Sequence, residues 1–189
     1  MIEAIKSIDF TILDAIQSTL RSDIMDSIMK FITTLGNAGI VWILIALVLV
    51  FIKRHRLCGI AMLAGLVSGV LIDNVVLKNL IMHDRPCWIN DTVQLLIELP
   101  DDYSFPSGHT LASFIAAVIL LRHSKVMGIP ALILAVLIAF SRLYLYVHFP
   151  TDILGGIALA IAIGICADVC AAKIADRIIN KASPQVDSE

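Results

Sequence analysis

Apolar residues run almost unbroken through five stretches of the chain, approximately 38–53, 57–81, 108–122, 126–147 and 151–172, and polar residues collect in the gaps between them. Runs of that length and apolarity predict membrane-spanning helices. The second carries Gly65-x-x-x-Gly69, a small-residue spacing that lets helices approach closely. The fifth opens at Pro150, a residue tolerated in a first helical turn. Residues 1–36 follow another pattern. Ile5, Ile8, Ile12 and Ile16 recur at helical spacing, as do Met25, Ile28 and Met29, but Asp14, Arg21, Asp23, Asp26 and Lys30 interrupt them. That pattern predicts two amphipathic helices lying in the membrane interface, with a sixth, polar span as the alternative. The expected fold is all-α: a polytopic membrane helix bundle of five to six transmembrane helices plus the N-terminal amphipathic helices. The bundle is expected over residues 37–175, with a polar cytoplasmic tail over 176–189.

Composition sharpens this picture. The 189 residues are 59% hydrophobic and 16% charged, and the mean hydropathy is +0.92. A soluble domain of this size would be roughly 45–50% apolar and about 25% charged. The length suits one domain, and a net charge of -2 without a basic stripe speaks against a nucleic-acid partner. The four cysteines include no C-x-x-C pair, so neither a disulfide framework nor a zinc site is expected. The opening "MIEAIKSIDF" lacks the basic region and cleavage site of a signal peptide and is expected to remain on the mature protein.

Five spans put the 82–107 loop and the 148–150 turn on one membrane face, and the 53–56 and 123–125 loops on the other. The second face holds Lys53, Arg54, Arg56, Arg122, Lys125, Lys173, Arg177 and Lys181 against four acids; the first keeps six basic residues and twelve acidic ones. Lys and Arg set orientation, so the first face is expected to be extracytoplasmic. On it lie "KNLIMHDRP" at 78–86, "SFPSGH" at 104–109 and "SRLYLYVHFPTD" at 141–152. Together these bring three cations, two histidines and a carboxylate to the ends of spans. Phosphoryl transfer calls for such a set, because its catalysis is mostly positioning and stabilisation of charge on phosphate oxygens. Lys78, Arg85 and Arg142 supply positive charge, and Ser107 is expected to cap the helix that begins at Gly108. His148 and Asp152 read as a nucleophile with its orienting carboxylate. His109 is then left to protonate the leaving oxygen.

Lys78-x6-Arg85-Pro86, Pro106-Ser107-Gly108-His109 and Ser141-Arg142-x5-His148-x3-Asp152 together resemble the three-part signature of the type 2 phosphatidic acid phosphatase family, whose site is shared with vanadium haloperoxidases and glucose-6-phosphatase. The resemblance implies a metal-independent integral-membrane phosphatase without cofactors, working through a phosphohistidine. It implies His148 as nucleophile, Asp152 as its partner and His109 as general acid. Lys78, Arg85, Ser107, Gly108 and Arg142 would hold the phosphate. Many relatives add a basic residue after the Arg-Pro pair, where this chain has Cys87-Trp88.

Bland roles compete at single positions. Lys78 alone reads equally as a snorkelling span terminus and Arg142 as a membrane anchor. His55, His83 and His123 have no motif partner and are expected to be structural. Trp88, Tyr103, Tyr144 and Tyr146 read as an interfacial belt. Asp73 reads as the buried ion-pair partner of Lys78, with a role in substrate entry as the alternative. The leading function is hydrolysis of a lipid phosphate or diphosphate at the extracytoplasmic face of the cell membrane. Undecaprenyl diphosphate is the first candidate substrate, then phosphatidylglycerol phosphate or phosphatidic acid. A lipid phosphotransferase and a non-enzymatic transporter or scaffold are the alternatives.

Overall fold

In the structure, a computed structural model describing residues 2–182, each predicted apolar stretch is helical, and no strand occurs among the described residues. Two helices, α1 (Ile2–Leu20) and α2 (Asp23–Leu35), precede the bundle. Helix α3 (Ile40–Phe51) follows α2 across a 43° bend, and the pair together is long enough for one broken span. Helix α4 (Arg56–Val70) runs into a π-helical segment, Leu71–Leu77, and then the short α5 (Lys78–Ile81). A single turn, α6 (Pro86–Ile89), interrupts the long loop before α7 (Gly108–His123). Helices α8 (Lys125–Tyr144) and α9 (Pro150–Ala182) complete the chain. Helix α8 stops three residues short of its expected end, and residues 145–149 form the turn that holds His148. Residues 176–182, expected as the start of a polar tail, continue α9; the rest of the tail lies outside the described residues. The chain is a multi-pass membrane protein.

The bundle is built around α7, which packs against α4, α8 and α9. Ile115 and Ile119 of α7, Met62 of α4 and Ile138 of α8 are fully buried there, while Ile43, Leu44, Val67 and Ile133 face outward. An exterior this apolar costs nothing in lipid, where burial separates packed from lipid-facing positions rather than apolar from polar. Trp42 Nε1 donates to Ser113 Oγ at 3.0 Å, closing α3 onto α7. At the opposite end from the motifs, Arg122 and His123 both bond Asp168, at 2.6 and 2.7 Å, and tie α7 to α9. His123 therefore has the partner its sequence neighbourhood did not suggest.

The charges of residues 1–36 also find partners. Tyr146 Oη donates to Asp14 at 2.8 Å, Tyr144 Oη to Asp26 at 2.5 Å, and Thr151 Oγ1 to Asp9 at 2.6 Å. Gln17 Nε2 donates to the carbonyl of Tyr144 at 2.6 Å. Leu13, Tyr146 and Phe149 pack together beside Phe10, and Met29 packs with Tyr144 and Val147. Thus α1 and α2 cover the turn between α8 and α9. Tyr144 and Tyr146 are fully buried struts under that cover rather than belt residues.

Candidate active site

Helix ends position the motif side chains. Asp152 is the third residue of α9, and its Oδ2 accepts the Phe149 N–H at 2.7 Å, as the acid of a capping box does. Negative charge at a helix N-terminus is also favoured by the helix dipole. The same carboxylate faces His148 one turn back: Oδ2 lies 3.6 Å from His148 Nδ1 and accepts the Ser104 hydroxyl. Ser104 Oγ is 3.3 Å from Nδ1. On the other side of the ring, Arg85 Nη1 lies 3.1 Å from His148 Nε2. A guanidinium only donates, so Nε2 presents its lone pair and the ring proton is on Nδ1. Burial pushes His148 down to about 4; Asp152 opposes this, and the charges of Arg85 and Arg142 add to it. The imidazole is neutral at physiological pH, with a free nitrogen facing the cations.

Arg85 is nearly fully buried and anchored from several sides: Nε donates to the Asp102 carbonyl and Nη1 to the Val147 carbonyl, both at 2.7 Å. Its Nη2 meets Asp102 Oδ1 at 2.6 Å, and the other Asp102 oxygen accepts from Lys78 Nζ. Lys78 also contacts Asn74 Oδ1 at 3.2 Å and Asp73 Oδ2 at 3.6 Å. Asp73 Oδ1 is buried without a hydrogen-bond partner. Gly108 packs on Asp73: a Cβ there would lie 2.8 Å from Oδ2. Ser107 caps α7, accepting from Thr110 N at 3.4 Å, while its own N–H reaches the Asp152 carbonyl at 3.4 Å.

His109 and Arg142 line an adjoining pocket of about 600 Å³ with Thr33, Thr34, Asn37 and residues 97–101. Arg142 Nη1 donates to Thr33 Oγ1 at 2.7 Å, but its buried Nε has no acceptor. Buried donors are nearly always paired, and an unpaired guanidinium N–H beside this pocket is chemically suited to an anion. His109 lies in the field of Arg142, His148, Arg85 and Lys78. All eight residues expected from the sequence therefore gather at one end of the bundle. Among the described residues, no three His, Cys, Asp or Glu side chains form a cation cage.

Five further residues complete the surroundings. His83 Nδ1 lies 3.1 Å from Asp152 Oδ1, and its ring leans on Phe149 with centroids 5.2 Å apart. Its expected lack of a partner is overturned, and the available signal was its place inside the first motif, two residues before Arg85. Ser104 and Asp102 also flank motif residues in sequence. Asn37 and Thr33 gave no local signal, since they reach the site from 72 and 109 residues away.

Comparison with known proteins gives the same direction throughout. The family model described as PAP2 superfamily matches residues 55–175. An undecaprenyl-diphosphatase of Sulfolobus acidocaldarius is 36% identical over 133 residues, 70% of this chain and 64% of that protein's length. Undecaprenyl-diphosphatase BcrC of Bacillus subtilis is 35% identical over 148 residues, 76% of this chain and 74% of the relative. Among solved structures, the transmembrane PAP2 type phosphatidylglycerolphosphate phosphatase from Bacillus subtilis superposes with a TM-score of 0.74 at 29% identity. That match covers 90% of this chain and 88% of the other.

Proposed function

The chain belongs to the PAP2 superfamily, and from that membership we propose that it is a lipid phosphatase acting through a phosphohistidine at the extracytoplasmic face of the cell membrane. The observation that carries this reading is His148, a buried neutral imidazole with Nε2 open toward the cations and Nδ1 backed by Ser104 and Asp152. Lys78, Arg85 and Arg142, with the Ser107-Gly108 turn, hold the phosphate oxygens and spread their charge.

In the first step Nε2 forms a bond to phosphorus as the bond to the lipid oxygen breaks, and His109 gives that oxygen its proton. The lipid alcohol, or the lipid monophosphate when the substrate is a diphosphate, departs. Water then attacks phosphorus, His109 takes its proton, and the N–P bond breaks with its electron pair returning to Nε2. Inorganic phosphate leaves and both histidines are restored. Asp152 stabilises the charge on His148 during the intermediate.

Undecaprenyl diphosphate is the first candidate substrate and phosphatidylglycerol phosphate or phosphatidic acid the second, a ranking supported by the names of the relatives. The extracytoplasmic orientation rests on the Lys and Arg distribution. The test is phosphate release by the purified protein on that lipid panel, with and without chelator, vanadate and an acceptor alcohol. Turnover untouched by chelator and blocked by vanadate is expected. A strict requirement for Mg²⁺ would overturn the mechanism, and transfer mainly to the alcohol would make the enzyme a phosphotransferase.

A further inference from the structure

The family model begins at residue 55, yet residues before it line the site pocket, and two of them bond site side chains. Thr33 and Asn37 lie four residues apart where α2 ends, and they contact Arg142 and His109 respectively. The backbone there is moulded to this purpose. Ala38 and Gly39 both take left-handed conformations, with φ of 50° and 65°; for alanine that conformation is unfavourable and persists only where surrounding contacts fix it. Gly36 packs so closely on the His109 ring that a Cβ would lie 2.7 Å from Cδ2. The bend thus lays the start of the 36–39 turn against one face of His109 and presents the Asn37 amide to its edge. Asn37 Oδ1 lies 2.9 Å from His109 Nε2.

From this geometry we infer that Asn37 is a positioning residue for the leaving-group proton: it holds one proton on His109 Nε2, so that the proton that moves is carried on Nδ1. The inference rests on the reading of His109 as general acid. An imidazolium gives up either proton, and a fixed acceptor on Nε2 removes the wrong choice. After transfer of the Nδ1 proton to the lipid oxygen, the neutral Nε2–H tautomer remains bonded to Asn37, and Nδ1 is free to take the proton of the attacking water. An amide suits this role because its oxygen accepts a hydrogen bond and adds no negative charge beside the phosphate. Asn37 is exposed on its far side, so substitution there leaves the packed core untouched.

The experiment compares Asn37→Leu, Asn37→Asp and His109→Ala in the purified full-length protein on two probes: dioctanoyl phosphatidic acid, whose alkoxide needs a proton, and p-nitrophenyl phosphate, whose phenolate leaves without one. Asn37→Leu is expected to lower kcat on the lipid roughly tenfold to hundredfold, the range for one lost hydrogen bond to a charged group. KM should hold within about twofold, with a much smaller kcat loss on the aryl phosphate. Asn37→Asp, which keeps an oxygen acceptor but adds a charge beside the phosphate, should recover most of the lipid kcat while raising KM. Equal losses on both probes, or no recovery of kcat in Asn37→Asp, overturn the role of Asn37. A selective loss in His109→Ala alongside a non-selective one in Asn37→Leu sinks this inference and spares the general acid. A non-selective loss in His109→Ala removes both.

Discussion

Substituting Asp102 by Asn takes one negative charge from between Lys78 and Arg85 while keeping the shape of the side chain. Its two oxygens now engage both cations, so an incoming phosphate must displace them. Burial would raise Asp102, but the hydrogen bond from Lys78 and the charge of Arg85 prevail and bring it down to about 2. That depression corresponds to roughly 2 kcal/mol in favour of the bound carboxylate, at about 1.4 kcal/mol per tenfold. The side chain is 46% exposed, so solvent screens much of it, and roughly 1 kcal/mol is left for phosphate to overcome. A depressed carboxylate keeps its pairing above its ordinary pKa and loses it only as pH falls through about 2, so the competition is complete at neutral pH. Asp102→Asn should therefore lower KM for a soluble phosphomonoester, and the inhibition constant of vanadate, about fivefold, while kcat changes less than about twofold. Steady-state kinetics with vanadate titration reads both. A rise in KM and in the vanadate constant would refute the reasoning, because Asp102 would then be aiming Lys78 and Arg85 rather than competing with phosphate.

Burial holds His148 at about 4, so the proposed nucleophile stays neutral well into acid. After correction for substrate ionisation, kcat/KM should hold as pH falls from 7 to 5 and drop only near 4; an acid limb near 6.5 would contradict the buried, cation-flanked imidazole. His83→Phe keeps a ring against Phe149 but removes the bond to Asp152, and kcat should fall roughly tenfold with KM unchanged. An unaltered kcat would mean that His83 only packs. In a background without the native thiols, a cysteine at Asp91 should react with an impermeant reagent in intact cells and one at His55 only after lysis. The reverse labelling would turn the site inward.

Much of the bundle was legible because lipid imposes long apolar runs, and the five stretches needed no tertiary knowledge. That the eight motif residues gather at one end of the bundle was legible for a different reason: the five-span connectivity already put all three motifs on one membrane face, at or near span ends. What stayed hidden depends on contacts between distant segments. Asp14 and Asp26 read as polar interruptions of interfacial helices, yet they bond Tyr146 and Tyr144 across more than 100 residues. The end of α8 at Tyr144 was hidden too, since Leu145, Tyr146 and Val147 continue the apolar run, and their turn is stabilised by burial under α1 and α2 and by the Arg85 bond to the Val147 carbonyl. His83 was passed over because a histidine's role is set by its neighbour, and Asp152 lies 69 residues away.

Helix α7 occupies the centre of the bundle with only 16 residues, about 24 Å of rise, where the hydrocarbon layer of a bilayer is about 30 Å thick. Its Arg122 and His123 end is held by Asp168, and those charges favour the polar boundary. The Ser107-Gly108-His109 end then falls about 6 Å short of the opposite boundary. With the proposed reaction centre at that end, the substrate phosphate must sink below the headgroup plane or the surrounding lipid must thin to meet it. Bilayer thickness thereby becomes a control on turnover, and reconstitution in lipids of progressively longer acyl chains should slow the enzyme.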